Sequence, residues 1–377
     1  MAERWILQFC HCHYGPFLDV ARQYAALFKG GPYRVLTVYL TGEPGETART
    51  GSASDEVIFL NYRSRDVRGL KLSAILALKK IAASRDFALV IAHRFKPIYI
   101  ACLATGLPVI GVHHAFGDYR RAPRRWFADA FRNRLALLGV SDAVRNDIRA
   151  CLPDWPAERI ETLHNRLEVA VACAGIVPRA LARQTLGLPQ DAFVIGNVGR
   201  LHADKDQSTL LRGFARALPQ LPMGTLLLII GSGALHDRLL AQAAELGISD
   251  RVRFTGQVPH ARSLFAAFDL FVLSSDHEPF GMVLLEAMAA GVPVMATDCG
   301  GAPEIVRRAE QRFGLRDAED LAAKLVAFFG TTPPSERQRL IDEAARRLID
   351  DFSDEAARSR FFALAMTQAA LAASGAP

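Results

Sequence analysis

Residues 270–296 read LFVLSSDHEPFGMVLLEAMAAGVPVMA. The stretch opens on a strand-sized apolar run, Leu270 to Leu273. A polar loop follows, then a helical pattern from Met282, then Gly291 and a second apolar run, Val292 to Ala296. Strand, helix and strand in that order make a crossover unit, which joins parallel strands. Two carboxylates, Glu278 and Glu286, lie eight positions apart across the loop and the first turns of the helix.

The same rhythm extends outward from this stretch. Upstream strand-like runs are Phe193 to Val198, Thr225 to Gly231 and Val252 to Thr255. An earlier series comprises Trp5 to Phe9, Tyr33 to Leu40, Val57 to Leu60, Ala88 to Ala92 and Pro108 to Val112. Helical patterns such as Leu18 to Phe28 and Leu70 to Ser84 fill the gaps. Ser141 reads as the N-cap of a further helix. Strands alternating with helices predict an α/β chain with two doubly wound parallel sheets. Between about residues 165 and 191 the rhythm stops, and Pro178, Gly187 and Pro189 appear. The domain boundary is placed there, giving domains of 1–168 and 169–352. The tail from Ser353 to Ala373 reads as one amphipathic helix, with Asp354 and Glu355 in its first turn.

The composition suits this picture. The chain has 377 residues, 50% of them hydrophobic and 22% charged, which predicts a globular protein with two cores. No apolar run approaches the roughly 20 residues of a membrane-spanning helix. The start, with Glu3 and Arg4, lacks the apolar stretch of a signal peptide, so a cytoplasmic protein is expected. The net charge of +6 is uneven. Residues 1–165 hold 23 Lys and Arg against 15 Asp and Glu; the remainder holds 22 against 24. The densest basic part is Arg120, Arg121, Arg124, Arg125, Arg132 and Arg134. It suits an anionic partner such as a phosphorylated glycan, acidic lipid or nucleic acid; the alternative is a solvated helix face. The run Cys10-His11-Cys12-His13 lacks a second ligand pair at zinc-type spacing, and the six cysteines show no disulfide framework. Neither a metal nor a disulfide is expected.

The loop after Leu273 carries the chemistry. A helix starting near Gly281 points its opening amides, at Gly281, Met282 and Val283, into the space beyond the strand end, where open parallel sheets bind ligands. Glu278 can accept hydrogen bonds from sugar hydroxyls, and Glu286 can take a vicinal diol such as a ribose. After the first strand of the second half come Gly199-Arg200-Leu201 and then Lys205. A guanidinium fork and an ammonium on one loop can clamp a diphosphate.

These segments resemble the E-x7-E signature and the G-R-L…K element of the retaining glycosyltransferases of family four. That family has the GT-B architecture, two Rossmann-like domains facing a cleft. The resemblance implies that Glu278 binds the donor sugar, Glu286 the ribose, and Arg200 and Lys205 the diphosphate. Gly231-Ser232-Gly233 resembles the family's central glycine turn, and Gly256-Gln257-Val258 the segment that holds the base through backbone groups. Phe280 belongs to the signature itself. In the first domain Gly15 matches a phosphate-facing loop, although one glycine replaces the usual pair and leaves open whether His13 contributes. His114 matches a histidine close to the donor sugar, with His113 one place earlier. His93 is a candidate on the acceptor side, with His13 and His113. Asn165-Arg166 resembles an Asn-Gly hinge turn, with Arg166 in place of the glycine. The family habit also returns the C-terminal helix, residues 353–377, to the first domain.

What the resemblance implies is transfer of a hexosyl unit from a nucleotide-diphosphate sugar, UDP-sugar favoured, to a glycan or glycolipid. The reaction would retain anomeric configuration, need no metal or other cofactor, and proceed with the domains closed against water. The basic first domain points to an anionic acceptor, such as bacterial lipopolysaccharide core or another envelope glycan. It also points to peripheral attachment at the inner membrane face through Arg120 to Arg134, with no nucleic-acid partner. The competing class is a sugar-nucleotide-binding regulator without catalysis. A nicotinamide enzyme is excluded because the third place of G-x-G-x-x-G, after Gly231 and Gly233, holds His236. No phosphate-binding loop of the G-x-x-x-x-G-K-S/T form occurs.

Overall fold

The computed structural model describes residues 3–373. The chain divides into two compact units, one comprising residues 1–166 with 354–377 and the other Leu167–Ser353. Each is built on one parallel sheet.

In the first unit the strands are β1 (Arg4–Cys10), β2 (Tyr33–Thr41), β3 (Glu56–Tyr62), β4 (Phe87–His93), β5 (Val109–His113), β6 (Leu135–Gly139) and β7 (Ile160–Thr162). Their spatial order is β3-β2-β1-β4-β5-β6-β7. The chain therefore reverses its direction of travel between β1 and β4. β4 is buried along its whole length and β1 over all but its first residue, as expected of strands covered by helices on both faces. The helix Asp142–Cys151 starts from Ser141, whose side chain accepts a hydrogen bond from the Val144 amide at 3.0 Å.

The second unit holds β8 (Val194–Val198), β9 (Leu226–Ile230), β10 (Val252–Gly256), β11 (Leu270–Leu273), β12 (Val294–Thr297) and β13 (Arg312–Phe313), in the order β10-β9-β8-β11-β12-β13. Here the reversal falls between β8 and β11. Leu210 and Phe214 of the helix Gln207–Ala217 and Leu321 and Leu325 of the helix Ala318–Gly330 are fully buried in one core with Ile229. Each such side chain contributes about 1.5–3 kcal/mol by leaving water.

The tail departs from expectation. It forms two helices, Asp354–Ala363 and Ala365–Ala373, with a break at Leu364. Phe361 is buried against Phe28, with ring centroids 5.7 Å apart, while Met366 and Ala370 are buried from the second helix. Residues 374–377 of the expected helix lie outside the described part. No helix among the described residues is long and apolar enough to cross a membrane.

Candidate active site

The point where a doubly wound sheet reverses opens a crevice at its carboxyl edge. In the second unit the loops after β8 and β11 share that point. β8 runs into Gly199 and Arg200, then a short turn, Ala203–Lys205. Asp206 sits in the left-handed region at φ 41° and caps the next helix through the Thr209 amide, 3.2 Å away. This turn projects Lys205 toward the loop after β11. Lys205 Nζ donates to Glu278 Oε2 at 2.7 Å, and Ser275 Oγ donates to the same oxygen at 3.1 Å. Ser274 Oγ donates to the Lys205 carbonyl at 2.8 Å, and the Asp276 amide donates to the Asp204 carbonyl at 3.1 Å, which ties the two loops together. Glu278 is buried.

Arg200 stands at the rim. Its side chain is 70% exposed and reaches Asp204 at 3.2 Å, a weak surface pair that leaves most of the guanidinium open to a ligand. Burial works to raise the Asp204 carboxyl. The His202 hydrogen bond and the Lys205 and Arg200 cations outweigh it and hold the group below the usual range.

Gly281 caps the helix Met282–Ala289 at φ 108°, a conformation that side-chain-bearing residues rarely adopt. The helix's positive end thus opens beside Glu278. Met282, Val283 and Glu286 are half-buried on its first turns. Phe280 is buried, with its ring 5.9 Å from that of Phe352, so its side chain serves the core and only its backbone faces the loop. Gly231, at φ 146°, lies so close to the Gly199 carbonyl that a Cβ there would overlap it. The turn after β9 is therefore pressed onto the Arg200 loop. Val258, after β10, is half-buried. Sequence reasoning brought forward Arg200, Lys205 and Glu278; Lys205 and Glu278 meet, and Arg200 stands at the rim on the same loop as Lys205. It missed Ser274, Ser275 and Arg316. Arg316 bonds Asp276 at 2.6 Å on the same loop. Serines in polar loops are too common to carry a signal alone.

The first unit has its own edge at β1 and β4. Gly15 is exposed at φ 55° and caps the helix Pro16–Ala26. His13 turns away from it: Nε2 lies 3.0 Å from the Glu43 carbonyl, and the ring packs on Tyr14, Tyr39 and Phe59. Cys10 is buried and bonded by Gln8, and burial pushes its thiol up to about 12, which keeps it uncharged. His113 is fully buried, with Nδ1 2.8 Å from Asp118 and Nε2 3.2 Å from the Tyr119 hydroxyl, so it has no atom left for an acceptor. His93 Nδ1 lies 3.3 Å from His114 Nε2. Burial lowers His93 to about 3. Burial, with help from His93, His113 and Arg94, holds His114 well below its ordinary value. Both rings are neutral at physiological pH.

Two features acquire a structural role. Arg166, which stands where the hinge glycine was expected, is buried and bonds Asp354 Oδ1 at 2.8 Å as well as the Gln23 carbonyl. It anchors the tail to this unit. The arginine-rich stretch breaks up: Arg124 pairs with Asp118 at 2.6 Å, Arg125 bonds the Tyr119 and Arg120 carbonyls, and Arg134 bonds the Leu107 and Cys102 carbonyls. Arg120 is exposed and reaches the half-buried Asp147 at 3.4 Å.

Comparison with known proteins agrees with this geometry. Residues 178–347 match the family described as Glycosyl transferases group 1, and residues 11–170 match Glycosyltransferase Family 4. The chain is 35% identical over 224 residues to the lipopolysaccharide core biosynthesis glycosyltransferase LpsE of Rhizobium meliloti, covering 58% of this chain and 64% of that protein. It is 37% identical over 166 residues to the D-inositol 3-phosphate glycosyltransferase of Streptomyces scabiei, covering 41% and 37%. Each match thus spans less than two thirds of the relative. The fold is similar to that of Anabaena Alr3699/HepE in complex with UDP, with a TM-score of 0.75, 21% identity and coverage of 95% and 98%.

Proposed function

We propose that this chain, which matches the glycosyltransferases of family four and of group 1 over its two halves, transfers a hexosyl unit from a nucleotide-diphosphate sugar to a glycan or glycolipid acceptor. The observation that carries this is the contact of Lys205 with Glu278 at the β8–β11 crevice, beside an exposed Arg200 and a helix start at Gly281. Arg200, Lys205 and the helix amides supply positive charge where a diphosphate leaving group gains negative charge. Such fixed charges stabilise the transition state without a reorganisation cost. Glu278, held by Lys205 and Ser275, orients the sugar hydroxyls, and Glu286 takes the ribose. This donor set contains cations and backbone donors and needs no metal to neutralise the leaving group. We assign retention of configuration, with Gly231 and Val258 of the second unit on the donor; in the first unit Gly15 and His114 are the proposed ligand-facing residues. His93 acts through its bond to His114.

UDP is the favoured nucleotide, supported by the UDP complex of a protein of the same fold. A lipopolysaccharide core or other envelope glycan is the favoured acceptor, supported by the likeness to LpsE. Peripheral attachment to an anionic membrane would rest on Arg120, Arg121 and Arg132, since the other three arginines of that stretch are bonded internally. The test is release of nucleoside diphosphate from donor sugars with and without a core-glycan acceptor. Acceptor-stimulated release lost in Glu278→Ala supports transfer; nucleotide binding with no turnover under any acceptor points to a regulator.

A further inference from the structure

The crevice between β1 and β4 holds cations that the donor chemistry leaves unused. His11 follows β1; Arg94 and Lys96 follow β4, at the start of the helix Phe95–Ala104. Arg94 adopts φ 73° and ψ 158°, a region open almost only to glycine, and its guanidinium lies over the Phe17 ring at 5.0 Å. Lys71 joins from the neighbouring helix. Its Nζ sits 4.6 Å from the Tyr99 ring, one turn beyond Lys96 on the same helix side, and donates to the Gly69 carbonyl at 2.6 Å. Arg68 lies close enough that it, Lys71 and Arg94 all act on Lys96, which burial and these three cations hold below its ordinary value. None of the four forms an ion pair among the described residues, and the nearby Asp66 pairs with Arg65. His11 is neutral, lowered to about 4 by burial, Lys96 and Arg94, and its buried Nδ1 has no hydrogen-bond partner. Uncompensated like charges gathered at the ligand-binding edge of a parallel sheet, with a helix N-terminus behind them, lack only an anion.

We propose that Arg94 and Lys96, with Lys71 and Arg68 beside them, bind a phosphomonoester carried by the acceptor. The inference rests on the glycosyltransferase reading for the word acceptor, but the anion site is a property of the first unit alone. Arg94 supplies a planar fork for two phosphate oxygens, Lys96 and Lys71 supply point charges, and the amides that open the helix add fixed dipoles.

Lysine labelling tests it on the full chain. Reductive methylation is followed by peptide mass mapping in glucose 6-phosphate and, at matched ionic strength, in glucose, with saturating UDP in both to occupy the donor site. At a ligand concentration about ten times its dissociation constant, labelling of Lys96 and Lys71 slows roughly tenfold while Lys79 and Lys80 are unchanged. Lys96→Gln abolishes the protection at Lys71. Equal rates in the two sugars overturn the proposal, as does equal protection of every lysine, which is ionic screening. Protection by phosphatidylglycerol vesicles but not by glucose 6-phosphate overturns it in favour of a lipid headgroup. Stabilisation by UDP, read as the melting temperature of parallel samples with and without it, separates the two levels. If it persists without lysine protection, the phosphate site alone falls; if protection persists without it, the transferase reading alone falls.

Discussion

Lys205 Nζ and Glu278 Oε2 lie 2.7 Å apart, although 73 residues separate them and each comes from a different loop. Their side chains are 20% and 10% exposed, so each charge is shielded from water and depends on the other. Replacing either alone leaves an uncompensated partner. Lys205→Ala or Glu278→Ala lowers the transfer rate by about 10²–10³-fold, and a double-mutant cycle shows strong coupling between them. Nucleoside diphosphate release measures it; an unchanged rate in a folded variant contradicts the assignment.

Gly231→Ala places a Cβ against the Gly199 carbonyl and forces apart the turns after β8 and β9. It costs about 1–3 kcal/mol in thermal unfolding and weakens nucleotide binding, because the Arg200 loop moves with Gly199. An unchanged melting temperature would show that the close approach does not exist.

Asp354→Ala leaves the buried Arg166 guanidinium without its carboxylate. The cost is about 3 kcal/mol, and the first unit's Tm falls by about 6–12 °C. A shift of a degree or less, by calorimetry, contradicts the anchoring role.

Most strands of both sheets were legible because buried parallel strands are continuous apolar runs: Leu270 to Leu273 has the bounds expected. β6 was missed because Leu-Ala-Leu-Leu-Gly holds no β-branched or aromatic residue. β7 and β13, of three and two residues, are too short to show a period. The break at Leu364 was invisible because an alanine-rich tail keeps helical propensity on both sides. At the site, Glu278, Lys205 and Arg200 were legible from spacing. Arg94, Lys96, Lys71 and Arg68 were not: they come from the loops after β4 and β3, and only the packing of the helix Leu72–Ala82 beside the helix Phe95–Ala104 brings them together. Conversely, the Arg120 to Arg134 density suggested a surface that the fold largely spends on its own carbonyls and acids.

Arg94→Gly removes a charge and a strained backbone together. Relief of the strain raises Tm by about 2–4 °C, after the entropy cost of glycine, while use of a phosphorylated acceptor falls. A lower Tm would mean the conformation is not strained.

His11 and His93 are lowered to about 4 and about 3 from an ordinary value of 6.5, and His114 lies well below it. Below pH 6.5 the unfolded chain takes protons that the folded one refuses, so stability is full above that pH and falls as pH drops. Asp118, held low by His113 and Arg124 against its burial, contributes only at more acid pH. Tm measured from pH 7 to 5 declines, and His93→Gln flattens the decline by about one proton. A flat profile in the wild type contradicts neutral buried imidazoles.

The most direct measurement is thermal unfolding of the whole chain against UDP, GDP and ADP and their common sugars, with no metal added. Binding at about 100 times the dissociation constant adds about 2.7 kcal/mol to the native state. The account predicts that one nucleotide series stabilises the protein selectively and that Lys205→Ala or Arg200→Ala loses the effect. No stabilisation by any of them at millimolar concentration would contradict a nucleotide-sugar site at Lys205 and Glu278.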